Sequence, residues 1–291
     1  MQPIQTYRGR EVHPEDIDFI RNLIAAYPQA KRQELSRLLC KAWNWVQPNG
    51  QLKDMICRGL LLRLQERGFV QLPKPQSDQT SQTRHQHRPA PAPVDDSPLA
   101  CTLAELKPII LRSVRRTPQE AIFNGLVESH HYLGYRQPVG EHLKYLAIAH
   151  GRPIACLAFS SVAYRLAARD SFIGWTDAIR GKSLHLLAYN TRFLILPWVR
   201  VPHLASHLLA AVSRRLSADW AAFYHHPIHW LETMVDRSRF AGTSYRAANW
   251  ILLGKSSGRG LRAKGSDPRK SIKDIYGYPL IPDFRERLYH G

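Results

Sequence analysis

Between Leu72 and Cys101 the chain runs through PKPQSDQTSQTRHQHRPAPAPVDDSPLA, which holds six prolines and almost no large apolar side chain. Such a stretch cannot bury enough apolar surface to offset the entropy of ordering it, so no single core can pass through it. A chain of 291 residues interrupted in this way is expected to fold as two units. The division is a small unit over 1–72, a disordered Pro-rich linker over 73–100, and a larger unit over 101–291.

Charge divides unevenly across that boundary. The formal net charge of +18 splits into +4 for the small unit, 0 for the linker and +14 for the larger unit, a balance that favours polyanionic partners, DNA first. The longest apolar runs, such as Phe193 to Val199, fall far short of the roughly 20 residues that span a bilayer, so no membrane association is expected. The opening residues MQPIQTYRGREVHPED have no apolar core of the secretory kind, and a cytoplasmic location is the expectation. Cys40, Cys57, Cys101 and Cys156 are scattered through apolar patterns, never as C-x-x-C, and read as buried thiols.

Three helical periodicities mark the small unit: Ile17, Ile20, Leu23, Ile24; then Leu35, Leu38, Leu39, Trp43; then Met55, Ile56, Leu60, Leu64. Phe69-Val70-Gln71-Leu72 alternates like a short strand after Gly68. Three helices closed by a small β element form a winged-helix or helix-turn-helix plan, which places the third helix in a major groove. Lys53, Arg58 and Arg63, with Gln51 and Asp54 nearby, are then the candidates to touch DNA; merely solvated charges on a docking domain are the alternative.

In the larger unit helix and strand alternate. Helices are expected over Leu103–Arg115, Pro118–His130, Leu204–Leu216 and Ser244–Ala248. Strands are expected over Tyr145–Ala149, Ile154–Ser160, Leu184–Leu187, Phe193–Val199, Trp230–Val235 and Trp250–Gly254. The class is α+β with a central mixed sheet. His130-His131-Tyr132 sits at a helix end, where an imidazole such as His131 can serve as a base. Adjacent helical positions point apart, so the pair cannot chelate one ion without help from His225, His226, His229, Asp170 or Asp236, and no metal is expected. Arg169-Asp170 suits either a structural ion pair or a site in which Asp170 orients a base or phosphate. Gly254 to Lys273, with seven Lys/Arg and four Gly, has the makings of a phosphate-backbone loop carried by Lys255, Arg259, Arg262, Lys264, Arg269 and Lys270.

Two resemblances extend this reading. The runs FLILPWVRVPHLASHLLAAVSRRL and LETMVDRSRFAGTSYRAANWILLG resemble the second half of a GNAT-type acyltransferase, covering roughly half of the larger unit: strand, pyrophosphate-cradling turn and helix, strand, short helix with a Tyr, closing strand. The resemblance implies an acyl-CoA cradle at Arg200, Val201, Ala205 and Ser206, formed by backbone N–H groups at a helix start. Where that family has two glycines this chain has Val201 and His203, which weighs against the cofactor. It also implies Tyr245 as general acid, if its pKa is lowered, and Glu232 as general base. A Tyr245 ring packed under the sheet, and a Glu232 paired with Arg239 or Arg246, are the structural alternatives. Over its whole length the chain resembles the DruA-like family through HHYLGY (130–135), AARDSFIGW (167–175), NTRFLILPWVRVPHLASH (190–207), VDRSRFAGTSYRAANWILLGKSSGRG (235–260) and KDIYGYPL (273–280). That family implies Druantia anti-phage systems or transposase neighbours. The expected function is a DNA-associated protein whose GNAT-like domain acts on or near DNA, with an acyl-type transfer to a base or protein; the alternative is a non-enzymatic adaptor recruiting a transposase, helicase or nuclease.

Overall fold

A computed structural model of the protein describes residues 3–7, 10–46, 50–73, 88–256 and 271–290. The chain separates into two compact units, one of residues 1–85 with 224–226 and a larger one over 86–223 and 227–291.

The small unit begins with a hairpin, β1 (Gln5–Tyr7) against β2 (Arg10–Val12), followed by helices α1 (Pro14–Ala26), α2 (Arg32–Ala42) and α3 (Asp54–Glu66). Pro14 opens α1, and the Asp16 carboxylate accepts the His13 backbone N–H at 2.9 Å, closing the start of the helix. Ile17, Ile20, Leu39, Leu60, Leu61 and Leu64 form the core at the helical spacing the sequence shows. The expected strand at Phe69–Leu72 is absent. Side chains take its backbone groups instead: Arg21 donates to the Phe69 carbonyl at 2.9 Å, and Gln65 accepts the Leu72 N–H at 3.2 Å. Among the described residues the extended pairings of this unit are β1 with β2 and the bridge Val46–Leu52, and none follows α3.

The second half of the presumed linker is ordered. Ala92 and Val94 pack on the larger unit's core, and Arg152 grips the segment through Asp95 (2.9 Å) and the Ser97 carbonyl (2.9 Å). Gly125 accepts the close passage, because a Cβ there would overlap the Ala90 carbonyl. β3 (Leu99–Ala100) then pairs in parallel with β8 (Val199–Arg200). Residues 88–100 are therefore part of the larger unit, and the proline spacing that reads as disorder serves an extended strap. The first half, 74–87, lies outside the described residues.

The larger unit continues with α4 (Leu103–Leu106), β4 (Ile110–Ser113), α5 (Glu120–His130), β5 (His142–Ala149), β6 (Arg152–Ser161), α6 (Ala167–Ile173), α7 (Asp177–Ser183) and β7 (Leu187–Ile195). After β8 come α8 (Leu204–Tyr224), β9 (Trp230–Asp236), α9 (Thr243–Ala247), β10 (Ile251–Lys255), β11 (Lys273–Pro279) and α10 (Phe284–His290). Among the described residues seven strands form one sheet in the order β10-β11-β9-β7-β6-β5-β4, antiparallel except for β7 beside β9. Helix α8 makes that parallel crossover and buries Leu204, Leu208, Leu209, Val212, Leu216 and Trp220. The strand, turn, helix, strand, short helix and strand that the acyltransferase resemblance implies follow one another in that order as β7, α8, β9, α9 and β10. The helix expected over Leu103–Arg115 stops at Leu106. Pro108 removes a donor, and Ile109-Ile110 favour extension into β4. Strand β11, unassigned from sequence, lies between β10 and β9, where Gly277 leaves room for the Trp230 ring.

Candidate active site

β7 and β9 are paired only at Leu187–Trp230, Ala188–Leu231 and Tyr189–Glu232. Beyond Tyr189, β7 stays with β6 and β9 stays with β11, so the two strands part and open a cleft of about 500 Å³. Its lining includes Asn190, Thr191 and Phe193 from β7, Thr233 and Asp236 from β9, Tyr245 from α9, and Ala205 from the first turn of α8.

Tyr245 sits in the cleft wall. Its hydroxyl donates to Asn190 Oδ1 at 2.7 Å, while its ring stacks on Tyr276 (5.9 Å) and meets Trp250 edge-on (5.1 Å). Burial raises its pKa, contrary to the lowered value expected of an acid, so the hydroxyl keeps its proton and acts as a neutral donor. Asn190 was missed by sequence reasoning although it lies within a motif noted there. It is 3% exposed and donates through Nδ2 to the carbonyls of Ala158 (2.9 Å) and Arg192 (3.1 Å), which fixes Oδ1 toward Tyr245. A register shift between Ala158 and Phe159 leaves Thr191 as the extra residue of a bulge in β7. The bulge bends β7 where it leaves β9 and sets Thr191 in the cleft lining, with its hydroxyl donating to the Ala158 carbonyl at 3.3 Å.

Glu232 is not a base in this cleft. It is 1% exposed and pairs with the fully buried Arg169 at 3.4 Å, rather than with Arg239 or Arg246. Desolvation pushes its pKa up to about 7, with Arg169 opposing the rise. Asp170 is likewise structural: Oδ1 accepts Arg169 Nε (2.8 Å) and Trp175 Nε1 (3.0 Å), and Oδ2 accepts the Leu166 N–H (3.2 Å) and pairs with Arg180 (3.5 Å). Arg169 also donates to the Ala163 and Tyr164 carbonyls, at 2.9 and 3.2 Å. This network ties α6 and α7 to the sheet.

His131 does line the cleft, but not as a base. Its Nδ1 accepts the Leu133 N–H at 3.1 Å, so the neutral ring carries its proton on Nε2 and can only donate there. Burial and the neighbouring Arg192 push its pKa down to about 4. Opposite pH effects on stability follow. The lowered His131 contributes stability above its ordinary pKa that is lost as pH falls through about 4; the raised Glu232 contributes stability at low pH that is lost as pH rises through about 7. The Glu232 shift is worth about 3 kcal/mol and that of the part-exposed His131 somewhat less, and between about pH 4.5 and 6.5 they oppose one another. Urea midpoints followed over that range should therefore rise with pH in Glu232→Gln and fall in His131→Gln. Identical profiles for both variants and the native chain would overturn these assignments.

The four residues carried over for a pyrophosphate cradle divide. Ala205 lines the cleft, Arg200 is exposed in β8, Val201 packs its side chain on the core, and the Ser206 hydroxyl turns back to the His203 carbonyl at 3.1 Å. His203 holds φ +62, the left-handed conformation that a glycine would take, so the turn keeps its shape without the glycine. The residues fit an acyl carrier in this respect: a 21-residue helix presents its first turn beside the cleft through Ala205. His203→Gly should leave the unfolding midpoint within about 0.5 kcal/mol, whereas a β-branched His203→Val should cost about 1–2 kcal/mol. Equal losses for both would show that φ is not what position 203 demands.

Of the DNA candidates in the small unit, Lys53 precedes α3, Arg58 pairs with Asp54 at 3.2 Å, and Arg63 is exposed with its guanidinium 5.5 Å from the Tyr7 ring centre. Lys255 is exposed at the end of β10; Arg259, Arg262, Lys264, Arg269 and Lys270 lie outside the described residues. Among the described residues no three His, Cys, Asp or Glu side chains gather as a metal site, and no helix is long and apolar enough to cross a membrane.

Comparison with known proteins adds the family. The model of the Druantia protein DruA matches residues 63–265, well over half of the chain. The chain belongs to the DruA family. Solved structures similar to this DruA-family chain include a ribosomal-protein-S18-alanine N-acetyltransferase from Escherichia coli (12% identity, 59% of this chain and 94% of that one, TM-score 0.36). A spermidine N-acetyltransferase from Vibrio cholerae (10%, 62% and 97%, 0.38) and an aminoglycoside acetyltransferase (14%, 62% and 98%, 0.39) are others. Overlaps at this level carry no functional weight. No curated protein matches the DruA-family chain by sequence.

Proposed function

We propose that this DruA-family protein serves phage defence as a DNA-associated acyltransferase, moving an acyl-type group onto an acceptor on or near DNA in the cleft between β7 and β9. The observation that carries the reading is the parting of those strands beside the Thr191 bulge, which brings Thr191, Tyr245 and Ala205 of the first turn of α8 to one space. An acyl thioester held there would supply an activated carbonyl. The α8 first turn, assisted by Arg200, offers backbone donors to phosphate. Tyr245, protonated at neutral pH and already hydrogen-bonded at Asn190, would pass its proton to the leaving thiolate and be reprotonated by the proton the acceptor loses. The charge of +14 on residues 101–291 supports DNA as the surface on which the acceptor is found.

Val201 and Pro202, where one residue lacks an N–H, favour the second reading, a non-enzymatic adaptor. Calorimetric titration separates the two. Acetyl-CoA should bind, and short duplex DNA should bind with an affinity that falls steeply between two salt concentrations. DNA binding without acetyl-CoA binding would leave the adaptor; no DNA binding at all would remove both.

A further inference from the structure

The mouth of the cleft holds two large exposed rings. Phe240 is 51% exposed and Tyr132 is 37% exposed, with ring centres 5.5 Å apart, and both line the cavity. Exposed aromatics that touch a cavity rather than a core have no packing reason to stay there. Tyr132 is already engaged by two neighbours: His131 stacks on it at 4.8 Å, and the Arg239 guanidinium lies 5.0 Å from its ring centre. That leaves the Phe240 face as the open platform. Further in, the Asp236 carboxylate lines the same cavity, 8% exposed. Ser238 donates to its Oδ1 from N–H (3.0 Å) and hydroxyl (2.7 Å), and these bonds hold its pKa below the usual carboxylate range.

We infer that this mouth is a subsite for an amino-bearing nucleobase, stacked on Phe240 beside Tyr132, with its exocyclic amine facing Asp236 and its phosphate facing Arg239. Each part has its own chemistry. A flat aromatic surface stacks any base; an ionised, acceptor-only carboxylate selects adenine, cytosine or guanine amines over uracil or thymine; a guanidinium answers a phosphate. The inference names the acceptor class of the transfer proposed above and rests on that reading for its role in catalysis, while binding itself stands apart from it.

Titration of AMP, CMP and UMP, and of short deoxycytidine and thymidine strands, into the full chain tests it. AMP and CMP should bind more tightly than UMP. Phe240→Ala, at an exposed loop position, should weaken binding by about 5–150-fold, the equivalent of roughly 1–3 kcal/mol per stacked base, while Phe240→Trp restores it. Asp236→Asn should erase the preference over UMP. If strands bind where mononucleotides do not, the base comes from nucleic acid; the converse assigns a free nucleotide, and either supports a nucleobase subsite. Affinities unchanged in Phe240→Ala, or UMP equal to CMP in the native chain, would overturn it. S-acetylpantetheine, which carries no base, serves as the control: its failure to bind counts against the acyl carrier and leaves the base subsite standing.

Discussion

Replacing Arg169 by alanine should cost about 3–5 kcal/mol of stability, the range for breaking a buried ion pair by removing one partner. The guanidinium is wholly buried and every side of it is used: Glu232 at 3.4 Å, Asp170 at 2.8 Å, and the carbonyls of Ala163 and Tyr164. Its loss forces Glu232, which is 1% exposed, to take up a proton or remain as an unpaired buried charge, and leaves two carbonyls without their donor. Replacing both charges together, as Arg169→Met with Glu232→Leu, should recover most of the loss, because the cost lies in the unpaired charge rather than in the pair. Urea unfolding near neutral pH is the measurement. A loss under about 1 kcal/mol for Arg169→Ala would mean that the network does not hold α6 and α7 to the sheet. The same network separates structure from chemistry. Glu232→Gln should shift stability with pH and leave turnover within a few-fold, the reverse of what a general base would show.

The second large effect belongs to Tyr245. Tyr245→Phe keeps the ring that stacks on Tyr276 and Trp250 and removes only the hydroxyl that donates to Asn190 at 2.7 Å. Release of free thiol from acetyl-CoA in the presence of DNA reads the chemical step without knowledge of the acceptor. Thiol release should fall by about 10²–10⁴-fold in the variant, the range for losing a positioned proton donor, with acetyl-CoA affinity and unfolding midpoint little changed. A variant as fast as the native chain would exclude Tyr245 as the acid. A loss of affinity equal to the loss of rate would assign the hydroxyl to binding instead.

Much of the architecture is legible in the sequence because its signals are local. The periodicity of Ile17, Ile20 and Leu60, Leu64 marks helices whose buried stripe lies within one element, and the apolar runs of β6 and β9 mark central strands. The strap at 88–100 was misread because composition reports the capacity to form a core, not the capacity to lie on one. Helices α6 and α7 are seven residues each, too short for a periodic signal, and end on cues such as Gly174 at φ +83. Candidate site residues fared unevenly for a related reason. Tyr245 and Ala205 are in the cleft because the order of elements places them there. Glu232 is held outside the cleft by Arg169, which is 63 residues from it in the chain. No spacing rule announces that contact. The Thr191 bulge and the role of Asn190 depend on β6–β7 register, which a single strand cannot reveal.

Hydrogen exchange with S-acetylpantetheine bound tests most directly whether the cleft is a ligand site. Exchange should slow in Asn190–Ile195 of β7, in Thr233–Asp236 of β9 and in the first turn of α8, and remain unchanged in β4 and β5 at the far side of the sheet. Protection that falls elsewhere, or no protection at saturating ligand, would contradict an acyl-carrier site between β7 and β9.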